Sequence, residues 1–156
     1  MNHKEQFLRR DYITRLAQLD PGAKGLWGKM NVHQMVEHMS YSFRLANGRT
    51  PVEKILTPED KIPRVQAFVL SENPFKENTS NALLPEDPLP IIHSDYADSL
   101  KELEAEITEF FRVYDASENL TIRNPFFGDL NRELNVSLLY KHALHHLRQF
   151  GVEIAS

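Results

Sequence analysis

Two histidines near the C-terminus, His142 and His146, stand four residues apart in the stretch His142-Ala-Leu-His-His-Leu-Arg148. Four residues advance an α-helix by about 6 Å and rotate it by only about 40°. Both imidazoles can therefore reach one point beside the helix, which is the spacing a single metal ion needs. Imidazole nitrogens at about 2.0–2.1 Å suit Zn, and also Ni, Fe or Co. The pair then requires a third ligand and a helix phase that turns it inward.

The phase follows from the helix that must carry the pair, expected from about Asn131 to Phe150 with Gly151 as its stop. On its wheel Glu133, Ser137, Lys141 and Arg148 gather on one side. Leucines 134, 138, 139 and 147, with Val136, Tyr140, Ala143 and Phe150, fill the rest. Asn135, His142 and His146 fall in the middle of that apolar arc, with Gln149 nearby; Gln149 and Asn135 are placed to orient a ligand. His145 falls at its edge, toward the charged side, where water is expected. An unpaired buried polar group costs about 1–3 kcal/mol, so the inward histidines need partners. A shared metal supplies one for both; hydrogen bonds within the core are the other solution.

A third inward histidine comes from a different helix. Asn31 with Gln34 three residues on resembles a capping box, and Asn47-Gly48 marks the other end. His38 lies on that helix's apolar arc between Leu45 and Met35. The opposite arc carries His33, Glu37, Ser40, Arg44 and Asn47 and is expected to face solvent. Glu37 is accordingly a poor candidate for a general base. Three inward histidines from two helices match a site with three protein ligands and an open position, the mark of catalytic metal sites. His3 is expected to be disordered, and His93 to lie on the surface of a loop.

The remaining elements are those that bring these two helices together. Leu8, Tyr12, Leu16 and Leu19 predict a first helix over residues 3–19, ended by Asp20-Pro21-Gly22. Gly25 and Gly28 keep the next stretch loop-like, with Trp27 and Met30 closing one end of the core. Thr57-Pro58 reads as a helix start with Thr57 as cap, and a short helix follows over 64–71. Residues 72–93, with four prolines, read as a long loop. Tyr96, Leu100, Leu103, Ile107, Phe110 and Tyr114 form a 4-3-4-3-4 seam over a helix at 95–114, capped by Ser94 or Asp95. Glu102, Glu104, Glu106 and Glu109 read as its solvated face. Residues 115–130 form a connector that Phe126 and Phe127 anchor on the core. No stretch alternates convincingly as a strand. The expected fold is all-α: four principal helices packed as a bundle, in a single domain over residues 1–156.

Composition removes several chemistries. There is no cysteine, which excludes thiolate catalysis, disulfides and cysteine metal sites. The net charge of −4 gives no reason to expect nucleic acid or an anionic membrane as partner. No apolar run approaches a membrane span or a signal-peptide core, so a soluble cytoplasmic protein is expected. Walker, dinucleotide, nucleophile-elbow and His-Glu-x-x-His motifs are absent, as is the Glu-x-x-His pair of di-iron bundles.

Two segments carry a family resemblance. Trp27-Gly-Lys-Met-Asn-Val-His-Gln-Met-Val-Glu-His38-Met resembles the segment bearing the first ligand in the DinB-like superfamily of metal-binding four-helix bundles. Asn124-Pro-Phe-Phe-Gly-Asp-Leu and Lys141-His142-Ala-Leu-His-His146-Leu-Arg-Gln-Phe-Gly151 resemble the C-terminal signature of its DUF1569-type branch. Asn124 stands where that branch commonly has His. The resemblance implies an up-down bundle that often dimerises, with His38, His142 and His146 as ligands of a divalent metal, Zn or Ni foremost, Fe, Mn or Co otherwise. It also implies an enzyme acting on a small molecule, either a transferase using a low-molecular-weight thiol or a hydrolase. The alternative is a non-enzymatic metal-binding or stress-related interaction protein.

Overall fold

A computed structural model describes residues 2–78 and 83–154. The chain is mainly α-helical, with one small two-stranded sheet. The first helical segment runs through α1 (His3–Gln6), a π-helical turn (Phe7–Asp11) and α2 (Tyr12–Ala17). His3 is thus the first residue of a helix rather than disordered. Its ring lies edge-on to Tyr140 at 5.6 Å, because Asn2 caps the helix by accepting from the Glu5 amide.

α3 (Val32–Asn47) starts on the full capping box, Asn31 accepting from the Gln34 amide and Gln34 Oε1 from the Asn31 amide. It ends at Gly48, whose φ of +87° is a left-handed stop. α5 (Tyr96–Ala116) is capped by Asp95 and packs along α3. α6 (Arg132–Gln149) is capped by Asn131, which accepts from the Leu134 amide. These caps fix where each helix begins, and so fix the phase of every histidine on it.

Apolar residues of the first segment, α3, α5 and α6 share one core: Leu8, Tyr12 and Leu16 meet Met35, Met39 and Phe43, then Leu103, Phe110 and Tyr114, then Leu139, Ala143 and Leu147. Met30 packs against it from the preceding loop. A smaller cluster joins Val69 of α4 (Ile62–Leu70), Leu138 of α6 and Leu130, with Phe75 and Phe127 beside it.

Four further expectations are corrected. The connector before α6 contains a hairpin, β1 (Ile122–Asn124) paired antiparallel with β2 (Gly128–Leu130). Strands this short give no period of two in sequence. Asn124 builds its turn, its side-chain oxygen accepting from the Phe126 and Phe127 amides. Thr57 caps nothing; its hydroxyl donates to the Phe126 carbonyl at 2.7 Å and ties the approach to α4 to this hairpin.

The polar arc of α3 faces α5 rather than water, burying His33, Ser40 and Asn47. The supposedly solvated acidic face of α5 answers it: Glu106 is buried and accepts from Asn47 Nδ2 at 3.0 Å, and Arg44 reaches Glu102. Among the described residues, no helix is long and apolar enough to cross a membrane.

Candidate metal centre

α3 and α6 bring His38, His142 and His146 to one point. His142 Nε2 lies 2.9 Å from His146 Nε2 and 3.1 Å from His38 Nε2. The three converging nitrogens all fall within 4.8 Å of one another, and no carboxylate joins them among the described residues. Two nitrogens held by one ion at about 2.0–2.1 Å lie about 2.9 Å apart at a right angle and about 3.3 Å apart at the tetrahedral angle. The observed separations match that range.

Protons cannot satisfy this cluster. His146 Nδ1 sits 2.7 Å from Gln149 Oε1. The Gln149 orientation is fixed, because its Nε2 donates to the Trp27 carbonyl at 2.9 Å. The amide oxygen therefore accepts, Nδ1 carries the proton, and Nε2 of His146 presents a lone pair. A proton on His142 Nε2 can serve one of its two contacts linearly but not both. A proton on His38 Nε2 leaves two lone pairs facing each other between His142 and His146. A cation at the centre resolves the conflict.

Electrostatics agree. Burial first, and then the neighbouring histidines, push the His142 pKa well below its usual value. Burial does the same to His146 and, with His145, brings His38 down to about 4. All three are neutral imidazoles at neutral pH, the form that ligates.

The surroundings come from three segments. The loop bearing Gly25 and Gly28 wraps Gln149. A Cβ at Gly28, where φ is +76°, would stand 2.8 Å from Gln149 Nε2, and one at Gly25 would stand 2.9 Å from Gln149 Cγ. The Leu26 amide donates to the Gln149 carbonyl. The glycines expected merely to break structure thus let the loop close on the residue that orients His146.

Trp27 stacks toward His145 at 5.5 Å rather than closing the main core. Phe75, from the loop after α4, stands edge-on to His142 at 6.2 Å and to His145 at 5.9 Å. His145 is 7 % exposed, so its placement at a solvent edge is corrected. Its wheel position borders the charged side, but Trp27 and Phe75 cover that border from outside the helix.

Glu37, next to His38, is turned elsewhere. Its carboxylate accepts from the Ile92 and His93 amides and the Ser99 hydroxyl. Burial opposes its charge, but the two amides and the hydroxyl outweigh that and hold its pKa below the usual carboxylate range. It is no base for this centre. His93 is half-buried with Nε2 3.2 Å from Glu102, away from the cluster. The sequence signals point to the three converging histidines and to Gln149 as a residue that orients one of them; the loop carbonyl that fixes its amide is not legible in sequence. Asn135, the other residue expected to orient a ligand, instead donates to the Ala46 carbonyl and the Tyr114 hydroxyl.

No protein-family model, curated protein or solved structure matches the chain, so the reading of this centre rests on its geometry.

Proposed function

We propose that His38, His142 and His146 hold a divalent metal ion and that the chain is a metal-dependent enzyme, an up-down four-helix bundle of the DinB-like kind. The observation that carries this is the convergence of three Nε2 atoms at 2.9 and 3.1 Å with no proton arrangement that satisfies both contacts. Zn or Ni suits three neutral imidazoles best, and such an ion supplies Lewis-acid activation of a bound water or thiol. Gln149 holds the His146 ring in the ligating tautomer. Phe75, Trp27 and His145 form an aromatic wall that limits water around the centre. His38 and His142 are half-buried rather than sealed, which favours an accessible site over a closed structural one.

The reaction proposed is transfer to a low-molecular-weight thiol, or hydrolysis, in a homodimer; the family resemblance is the support for these finer points. Elemental analysis of freshly purified protein beside His142→Ala tests the centre. The native chain is expected to carry about one metal equivalent, as a three-ligand site holds, and the variant almost none. Equal content in both sinks the proposal. Adding a small thiol to the Co-loaded protein then separates the reactions: a new near-ultraviolet sulfur-to-cobalt band marks thiol use, and an unchanged spectrum marks hydrolysis.

A further inference from the structure

A concavity with cationic side chains in its walls lies on another face of α6. It has a volume of about 70 Å³, and Lys4, Glu72, Ser137, Tyr140, Lys141 and Arg148 are among its walls. One water fills about 10–15 Å³ of such space, so the cavity holds a few waters or one tetrahedral oxyanion. Three cations meet there against one carboxylate.

Among the described residues, none of the three cations is neutralised by a carboxylate. Lys141, 7 % exposed, donates from Nζ to the carbonyls of Ser71 and Asn73 and sits 4.5 Å above the Phe68 ring. Its partners are neutral. Lys4 Nζ donates to Ser137 Oγ at 2.9 Å, again a neutral partner. Arg148 has no ion pair or side-chain hydrogen bond among the described residues, and Glu72 forms no ion pair there either. Lys141 is buried and Lys4 and Arg148 are half-buried, and a buried charge is rarely left without a counter-charge.

We infer that this cleft between α1, α6 and the Ser71–Pro74 segment is a binding site for a small oxyanion group, a phosphate or a carboxylate, held by Lys4, Lys141 and Arg148. Arg148 offers a planar fork for two oxygens, Lys4 and Lys141 offer point charges, and Tyr140 and Ser137 line the same space. The site stands independently of the metal centre. Lys141 also pins the segment leading to Phe75, so its own substitution would disturb more than the cleft.

The test therefore uses Arg148→Gln and Lys4→Gln, on separate helices, with Glu72→Gln as a control of opposite sign. Inorganic phosphate, methyl phosphate and acetate are titrated into the full chain at constant ionic strength, followed by amide chemical shifts. Saturable shifts are expected at Ser137, Tyr140 and Leu144. Each cation variant weakens binding by about tenfold, the scale of one charge-assisted contact, while Glu72→Gln binds as well or better. Preference for the two phosphates marks a phosphorylated ligand; preference for acetate marks a carboxylate. Shifts that fail to saturate, or that are equal in the native chain and both cation variants, overturn the assignment. Circular dichroism confirms that the variants keep the fold.

Discussion

His33 and His38 stand on the same helix, five residues apart, the first buried and the second half-buried. Their surroundings differ in one respect. His33 Nε2 lies 2.9 Å from Ser99 Oγ, whose own proton goes to Glu37 Oε2, and the ring rests edge-on to Tyr96. The His33 ring nitrogen and the Ser99 hydroxyl are both partnered there. His38 Nε2 meets only another imidazole nitrogen, which in turn meets a third. A buried histidine is therefore not a site by virtue of burial. It becomes one where the protein supplies no complementary donor or acceptor.

The largest expected effect separates the two directly. With free Zn at about a thousandfold over its Kd, binding to the folded state alone adds about 4 kcal/mol of stability. Urea unfolding with and without Zn should show that increment in the native chain and in His33→Ala, and lose it in His38→Ala. Loss in both variants, or in neither, erases the distinction drawn between the two residues.

A smaller effect is expected one step out from the ligands. Gln149→Ala leaves the three Nε2 atoms in place but frees the His146 ring and its tautomer. Partners of this kind are worth about 10–100-fold in metal affinity. Competition against a chromophoric chelator should read a weakening in that range, with the fold retained. An unchanged affinity would mean that packing alone orients His146.

Legibility from sequence follows the same divide. The helices that carry the three converging histidines are readable because Asn31, Gly48, Asn131 and Gly151 fix their ends, and fixed ends fix phase. On α6 the wheel then placed His142 and His146 correctly. On α3 it placed His38 correctly and misread the opposite arc, because a wheel sees polarity and not what lies across the interface. Ser99 and Glu106 of α5 make a buried polar face where the spacing suggested water. His145 was misread for a related reason: the residues covering it, Trp27 and Phe75, come from loops distant in sequence. The hairpin at Ile122–Leu130 is held by an asparagine side chain and too few residues to show alternation.

The smallest effect tests the satisfied side of the comparison, where stability rather than metal binding should respond. Ser99 is fully buried and passes a hydrogen bond from His33 to Glu37. Ser99→Ala removes both links, leaving His33 Nε2 without its partner and Glu37 with only its two backbone donors. A lost buried hydrogen bond of this kind costs about 1 kcal/mol net. If His33 and Ser99 act as a pair, His33→Ala and Ser99→Ala should destabilise by less together than the sum of the two alone. The coupling expected is about 0.5–1.5 kcal/mol from a double-mutant cycle in urea. The same cycle read through Zn affinity should show no coupling, because this network ends at Glu37 and the neighbouring loop amides and does not include the His38 imidazole. A Zn affinity that falls with Ser99→Ala would show instead that the structural histidine and the ligand histidine, one helix turn and a half apart, belong to one network.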